Sequence, residues 1–220
     1  MRLPRLYAIA DVGVLKARGM ELRAFAEGLR AAGVSLVQLR DKHGSPQEVL
    51  AGAAVLREVF ADRCLLVMND RADLAVLAGF DGVHVGQGDL SPVDVRKALE
   101  SMTPTSIPMG PGLGWGNRMV GVSTHSVEEV LGAQDADYVA IGPVFATGTK
   151  LDAEPVVGLE GVRRARALTT RQLVAIGGIT RENCRSAIEA GADAVAVISG
   201  LLKPGETVEK VARDFLAILG

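Results

Sequence analysis

Two aspartates follow neighbouring apolar segments of the chain, where each segment gives way to polar residues. Asp70 comes directly after the run Leu65–Asn69, and Asp89 comes shortly after the run 82–86. Because consecutive strands of a parallel α/β fold usually lie side by side, the two carboxylates are expected to meet at one rim of a sheet. Two hard oxygen donors suit Mg²⁺, which binds one or two carboxylates together with water and phosphate oxygens. The pair predicts a magnesium site, with helix capping as the alternative for each aspartate taken alone.

Positively charged residues are predicted to stand beside this acidic pair. Arg40 ends the apolar run Leu36–Arg40 and Lys42 follows it, while Lys150 lies in a later loop. Gln38 and Arg40 share one strand face by the two-residue period, and a buried guanidinium needs an anion that matches its planar fork. These three positively charged residues, together with a metal ion, are what a site that binds a diphosphate would need. For Lys42, a solvated surface lysine is an equal alternative.

Glycine-bearing loops later in the chain predict a second anion site. The loop 142–150 carries two threonine hydroxyls, and Gly178 and Ser199 each follow a further apolar run. Bare backbone N–H groups after the seventh and eighth strands form the usual phosphate cradle of barrel enzymes. For the loop 142–150, an ordinary turn with a solvated lysine is the alternative.

Eight short runs that are mostly apolar predict the strands that must position these residues. Such runs are typical of parallel strands covered by helices, and serine caps at Ser45, Ser91 and Ser126 predict helix starts between them. The alternation predicts an α/β fold, namely one (β/α)₈ TIM barrel domain over residues 1–220 with its active site at the C-terminal ends of the strands. A doubly wound sheet is the alternative. The predicted strands are Leu6–Ala10, Leu36–Arg40, Leu65–Asn69, Gly82–Gly86, Met119–Ser123, Tyr138–Val144, Gln172–Gly178 and Ala194–Gly200.

The composition argues against several classes of partner. The chain has 220 residues and a formal net charge of −2, which gives no electrostatic case for nucleic acid or an anionic membrane. No apolar run has the length of a membrane span or a signal peptide, so a cytoplasmic protein is expected. Cys64 and Cys184 are expected to be inert buried thiols. Since no Ser-His-Asp spacing stands out, a covalent hydrolase is not indicated.

Two long connections are expected between the predicted elements. Residues Ser101–Asn117 are rich in glycine, but a strand follows them, so we interpret them as a helix-to-strand connection rather than a nucleotide loop. Residues Phe145–Gly158 lie on the predicted active face, and a loop of that length is typical of a lid that folds over bound substrates.

Taken in order, these motifs resemble the thiamine-phosphate synthase family, and the resemblance covers nearly the whole chain. It implies a (β/α)₈ enzyme that uses Mg²⁺. The reaction would join 4-amino-2-methyl-5-(diphosphooxymethyl)pyrimidine to a thiazole phosphate and release pyrophosphate. The connection Ser101–Asn117 departs from the family in being longer and richer in glycine. The matching stretches are Val37–Lys42, Asn69–Arg71, Asp81–Leu90, Gly121–Ser126, Gly142–Lys150, Ala175–Thr180 with Asn183, and Val197–Ser199.

The resemblance also assigns a role to each site residue by position. Asp70 and Asp89 would bind Mg²⁺. The pyrimidine diphosphate would be held by Gln38, Arg40, Lys42, Asn69, Ser123 and Lys150, of which Arg40, Lys42 and Lys150 would be catalytic. The thiazole phosphate would be held by Thr147, Gly148, Thr149, Gly178, Ile198 and Ser199.

Two other functions remain as alternatives. One is a thiazole tautomerase of the same family, with His125 as its acid and base, and the other is a regulator that binds a phosphate ligand without catalysis. Neither alternative explains the acidic pair together with the three cations. The roles of His84 and His125, the oligomeric state and the presence of a carboxyl group on the thiazole stay open.

Overall fold

The computed structural model describes residues 2–102, 118–148 and 155–220. In these residues eight strands form a closed parallel barrel, so the predicted fold class is confirmed. The strands are β1 Leu6–Asp11, β2 Leu36–Arg40, β3 Leu65–Asn69, β4 Gly82–Val85, β5 Met119–Thr124, β6 Tyr138–Ile141, β7 Gln172–Ile176 and β8 Ala194–Val197. Each strand pairs with the next along the chain, and β1 closes the barrel against β8.

Helices cover the outside of the barrel, and none in the described ranges is both long and apolar enough to cross a membrane. An additional short helix, α1, comes directly after β1, and a 3₁₀ helix, Ser199–Leu201, comes shortly after β8. The α-helices are α1 Val12–Ala17, α2 Leu22–Ala32, α3 Pro46–Phe60, α4 Ala72–Leu77, α5 Pro92–Met102, α6 Val127–Gly132, α7 Gly158–Leu168, α8 Cys184–Glu189 and α9 Val208–Leu219.

The apolar residues form two layers, one on each face of the barrel wall. Strands β1, β4, β6 and β8 are buried at every position, as expected for parallel strands covered by helices. Outward-facing residues pack against the helices, and both cysteines lie in this layer. Both cysteines are buried as predicted, and burial raises the pKa of the Cys64 thiol to about 12, which disfavours the reactive thiolate. The interior is filled by residues that include Ile9, Val67 and Val174.

The helix starts follow the predicted caps, with one difference. Ser45 forms a complete capping box with Glu48 at the start of α3. At α6 the Ser126 hydroxyl accepts from the Glu129 N–H, but the Glu129 carboxylate accepts from the His125 N–H instead of returning to Ser126. The predicted serine cap at α6 is therefore present, and the Glu129 carboxylate binds the N–H of the residue before that serine.

Strands β6, β7 and β8 end two or three residues before their predicted ends. After β6 comes Pro143, which has no N–H to continue a ladder. After β7, Gly177 and Gly178 have φ angles of 94° and 63°, outside the β region. Hydrophobic character alone does not reveal these changes of backbone direction, and each of them begins a loop at the barrel mouth.

Gly121 makes room for one of the two tyrosine side chains inside the barrel. It pairs with Tyr138 across β5 and β6, and a Cβ atom at Gly121 would lie 2.0 Å from the tyrosine ring. The ring is fully buried, so it cannot move aside into solvent.

Gly121→Ala should therefore destabilise the fold by about 1–3 kcal/mol, the usual cost of overpacking. Gly132→Ala is the matched control, because Gly132 ends α6 with open space around its missing Cβ. Thermal unfolding should show a melting temperature lower by several degrees for Gly121→Ala and unchanged or slightly higher for Gly132→Ala. Equal melting temperatures for the two variants would contradict this packing.

Candidate active site

The predicted acidic pair is brought together at the barrel mouth. Asp70 follows β3 with a left-handed φ of 60°, which is uncommon for a residue other than glycine, and its N–H donates to the His84 carbonyl at 2.8 Å. Burial and, next, the charge of Asp89 raise the pKa of Asp70 above its ordinary value. The Asp89 carboxylate is therefore close enough to oppose the ionisation of Asp70.

In the structure, neither Asp70 nor Asp89 caps a helix, so the capping alternative is wrong for both. The residue at the N-cap of α4 is Arg71, and helix α5 begins after Ser91, whose hydroxyl accepts from the Asp94 N–H at 3.2 Å. Asp89 instead accepts from the Gly86 N–H at 2.8 Å, which fixes its loop. Both carboxylates are thus positioned at the mouth by their own turns.

The predicted cations divide between this pair and a residue that the sequence analysis missed. Lys42 lies 3.4 Å from the Asp70 carboxylate and offsets part of the rise in its pKa. Arg40 pairs with Asp11, which lies at the end of β1 in direct register with Arg40. The anion that Arg40 was predicted to need is therefore supplied at least in part by the protein. Lys150 lies outside the described residues.

A small, deep pocket opens into the barrel interior beside these charges. It has a volume of about 30 Å³. Four of the six residues expected to hold the pyrimidine diphosphate line it, namely Gln38, Arg40, Asn69 and Ser123. The Gln38 amide, 2% exposed, donates to the Tyr7 hydroxyl at 2.8 Å. The requirement that a buried glutamine be hydrogen-bonded is met.

A larger cavity of about 860 Å³ occupies the other half of the mouth. Of the six residues predicted for a thiazole phosphate, five line it, and Thr149 lies outside the described residues. The five are Thr147, Gly148, Gly178, Ile198 and Ser199. Ser123 and Ile198 line both this cavity and the small pocket, so the two spaces meet.

The loop after β7 is shaped by glycine and held by one side chain. A Cβ atom at Gly178 would lie 2.5 Å from the Ala146 carbonyl oxygen, so only glycine fits there. The Asn183 amide oxygen accepts from the Thr180 N–H at 2.7 Å, and its nitrogen donates to the Gly178 carbonyl at 2.9 Å. The loop therefore presents backbone to the cavity with little side-chain obstruction.

His125 lines the large cavity in one defined tautomer. Its Nδ1 lies 2.5 Å from the Gly142 carbonyl oxygen, and because a carbonyl only accepts, Nδ1 carries a proton. In a neutral imidazole, Nε2 is then the acceptor. His125 therefore lines the same cavity as five of the residues predicted for a thiazole phosphate.

The donor set fits a magnesium ion better than a transition metal. Mg²⁺ needs one or two carboxylates, with water and phosphate oxygens completing its shell. Asp70 and Asp89 provide two carboxylates, and the described ranges contain no cluster of three or more His, Cys, Asp or Glu residues that could hold another metal. The pKa of Asp70 is raised, and a cation bound at this position would lower it again because it favours the charged carboxylate.

Several residues of the barrel interior and the mouth were missed in the sequence analysis. Tyr7 and Tyr138 occur in apolar runs and give no polar signal, although both hydroxyls face inward. Asp11 could have been found, since it stands at the end of a strand like the other candidates. Arg18 and Lys203 also line the large cavity.

Asp70→Asn should stabilise the protein in EDTA at neutral pH. The folded-state pKa of Asp70 is raised, so its contribution to stability is present below the unfolded pKa and is lost as the pH rises through the folded pKa. Asparagine tolerates the left-handed φ. Scanning calorimetry should give a melting temperature about 2 °C higher than wild type at pH 7 and equal to it below about pH 4.

Asp73→Asn is the control of opposite sign. A hydrogen bond from Arg71 lowers the pKa of Asp73, so that carboxylate stabilises the fold above its unfolded pKa. Its replacement should leave the melting temperature at pH 7 unchanged or lower. A melting temperature for Asp70→Asn at or below that of wild type would contradict the repulsion between Asp70 and Asp89.

Comparison with known proteins identifies the family. The family described as thiamine monophosphate synthase matches residues 6–104 and 114–201. A thiamine-phosphate synthase from Koribacter versatilis is 48% identical and covers 100% of this chain and 97% of its own length. One from Chloroflexus aurantiacus is 36% identical, with coverages of 98% and 92%. A thiamine phosphate pyrophosphorylase from Pyrococcus furiosus has a solved structure that matches with a TM-score of 0.79 at 29% identity, covering 98% of this chain and 95% of that chain.

These matches extend over the whole barrel, so they include both halves of the mouth. The resemblance stated from the motifs is thereby confirmed. The chain belongs to the thiamine monophosphate synthase family and is a transferase of the thiamine-phosphate synthase type.

Proposed function

We propose that the chain joins 4-amino-2-methyl-5-(diphosphooxymethyl)pyrimidine to a thiazole phosphate, yielding thiamine phosphate and pyrophosphate, with Mg²⁺ as its cofactor. The observation that carries this proposal is the joining of two unlike spaces at Ser123 and Ile198. One space has the acidic pair and cations at its rim, and the other has a backbone loop suited to a single phosphate. A reaction between two phosphorylated small molecules needs both.

The pyrimidine diphosphate is assigned to the half of the mouth formed by β2 to β5. The small pocket would take the ring against Gln38, Asn69 and Ser123, which leaves the diphosphate at the rim beside Lys42 and Arg40. Arg40 is already paired with Asp11, so its guanidinium is fixed in place before the ligand arrives. Lys150 is proposed for the same diphosphate from the resemblance alone.

The thiazole phosphate is assigned to the large cavity. Backbone N–H groups around Gly178 and at the start of the 3₁₀ helix Ser199–Leu201 would hold its phosphate, as in other barrels. Thr147 and Gly148 line the same cavity, and Thr149 is proposed beside them from the resemblance. A phosphate held there would direct the thiazole ring toward Ser123 and Ile198, where the spaces meet.

The proposed reaction breaks a carbon–oxygen bond and forms a carbon–nitrogen bond at the same carbon. Pyrophosphate leaves with the electron pair, the amino group of the pyrimidine stabilises the cation, and the thiazole nitrogen attacks it. Held by Asp70 and Asp89, Mg²⁺ would neutralise charge on the leaving diphosphate. Lys42 and Arg40 add positive charge at the same rim, and the phosphate loop fixes the nucleophile. This route requires no strong base or nucleophile from the protein.

A thiazole tautomerase activity is the second candidate, and the position of His125 favours it. Its Nε2, the acceptor of the neutral ring, belongs to a side chain that lines the large cavity. This activity would use neither the acidic pair nor Lys42. Assaying pyrophosphate release and thiazole isomerisation separately therefore distinguishes the two candidates.

The central test is pyrophosphate release from the two substrates with and without Mg²⁺. We expect release to require both substrates and the metal, and Asp70→Asn or Asp89→Asn to lower kcat by about 100-fold or more. Asp73→Asn, a nearby exposed aspartate on α4, should behave as wild type. Release that is independent of metal, or full activity in the double variant Asp70→Asn/Asp89→Asn, would overturn the proposal.

The two anion sites should separate in steady-state kinetics. Ser199→Ala should raise the KM for the thiazole phosphate a few-fold and leave kcat largely unchanged, because backbone N–H groups remain. Lys42→Ala should lower kcat and kcat/KM for the pyrimidine diphosphate, because its charge would act on the leaving group. Equal effects of both substitutions on both substrates would contradict this division of the mouth.

A further inference from the structure

Five polar side chains form a continuous hydrogen-bonded row across the barrel interior. The Gln38 amide nitrogen lies 2.8 Å from the Tyr7 hydroxyl, and the two tyrosine hydroxyls lie 3.0 Å apart. The Tyr138 hydroxyl lies 3.0 Å from His84 Nδ1, and His84 Nε2 lies 2.9 Å from the Ser123 hydroxyl. Both ends of this row, Gln38 and Ser123, line the small pocket, as do Tyr7 and His84 between them, whereas Tyr138 does not.

Neighbouring residues leave space for the side chains of this row, and the rings of the row pack against one another. Gly121 leaves the space that the Tyr138 ring occupies. The His84 ring stacks on the Tyr138 ring with centroids 5.5 Å apart. The Tyr7 ring contacts the Tyr138 ring edge-on, with centroids 6.0 Å apart. The chain has two tyrosines, and both are in this row. Phenylalanine would fill the same volume, so the hydroxyls call for an explanation beyond packing.

The hydrogen bonds of the row must all run in one direction. Burial raises the pKa of both tyrosines above the ordinary value, so each hydroxyl keeps one proton to donate, and a neutral His84 ring has one N–H, on either Nδ1 or Nε2. With Gln38 donating to Tyr7, the protons pass along through Tyr138 and His84 to Ser123. The Gln38 oxygen then faces the pocket as an acceptor, and the Ser123 hydroxyl has its proton to donate there.

Turning the Gln38 amide over reverses every bond in the row. Gln38 then presents its NH₂ to the pocket, and Ser123 presents an acceptor. A mixed arrangement would set two donors or two acceptors against each other at a buried link, which is unfavourable. In both allowed arrangements the two ends of the row have opposite hydrogen-bonding character.

We infer that Tyr7, Tyr138 and His84 are positioning residues that force Gln38 and Ser123 to offer one donor and one acceptor, and so select an aminopyrimidine over its oxo counterpart. In a 4-aminopyrimidine, the amino group donates and the ring nitrogen opposite it accepts. In the 4-oxo compound both of these positions accept, so one end of the row is left unmatched. This inference rests on the proposed function for the identity of the ring.

The test is the binding of two non-reacting ligands, 4-amino-5-hydroxymethyl-2-methylpyrimidine and its 4-oxo counterpart, measured by calorimetry. Wild type should prefer the amino compound by about tenfold or more, the usual penalty for an unmatched buried polar group. Tyr7→Phe and Tyr138→Phe each interrupt the row, so each should reduce the preference several-fold. The double variant should reduce it no further, because one interruption already uncouples the ends.

Thr124→Val is the matched control, because it removes a buried hydroxyl from β5 that donates to the Ala140 carbonyl outside the row. It should retain the full preference for the amino compound. A merely structural role of the tyrosines would weaken both ligands equally and make the two substitutions additive, and that result would overturn the inference. So would an equal affinity of wild type for both ligands, or no binding of either.

The two proposals can fail separately. Absence of pyrophosphate release by wild type would overturn the proposed function, whatever the binding ratios are. Unchanged preference in Tyr7→Phe would overturn the inference even if the enzyme is fully active. Should Tyr138→Phe not fold, Tyr7→Phe with the Thr124→Val control still decides the question.

Discussion

Two like-charged carboxylates, Asp70 and Asp89, interact across the ends of β3 and β4, where burial deprives Asp70 of part of its solvation. The backbone keeps them there: Asp70 has a left-handed φ and is hydrogen-bonded to β4, and Asp89 is held by the Gly86 N–H. Such an arrangement is unfavourable for the protein alone and favourable with a cation between the charges. The chemistry proposed for the mouth depends on this pair.

The other charges at the mouth are arranged around that pair. Lys42 contacts Asp70 directly, whereas Arg40 is paired with Asp11 and so contributes a fixed guanidinium rather than a second neutralising charge. The opposite half of the mouth contains glycine-bearing loops, and Asn183 holds one of them by a hydrogen bond to Gly178. In the proposed reaction, the half with the ion pairs would bind the leaving diphosphate, and the half with the glycine loops, which Arg18 and Lys203 also line, would bind the phosphate that stays on its substrate.

Most of the fold and much of the site could be predicted because short apolar runs and the two-residue period of strands are local properties. The period placed Gln38 and Arg40 on one face, and the strand ends located Asp70 and Asp89. The ends of β6 and β7 were predicted too late, because hydrophobicity does not register the missing N–H of a proline or a positive φ angle, and the end of β8 was predicted too late because the apolar run continues into a 3₁₀ helix. Contacts between side chains on different strands could not be predicted from these local properties. Asp11 meets Arg40 through register, and Tyr7 and Tyr138 resemble ordinary apolar residues until the closed barrel brings their hydroxyls together.

The most direct test of the central claim is the pKa of Asp70 itself, measured by NMR of the labelled carboxyl carbon with and without Mg²⁺. Without the metal, the pKa should lie above the ordinary value of about 3.9, because burial and the charge of Asp89 disfavour ionisation. With saturating Mg²⁺ it should fall below that value, since a bound cation favours the charged form. A titration curve that Mg²⁺ leaves unmoved, or a pKa at or below the ordinary value without metal, would contradict the account.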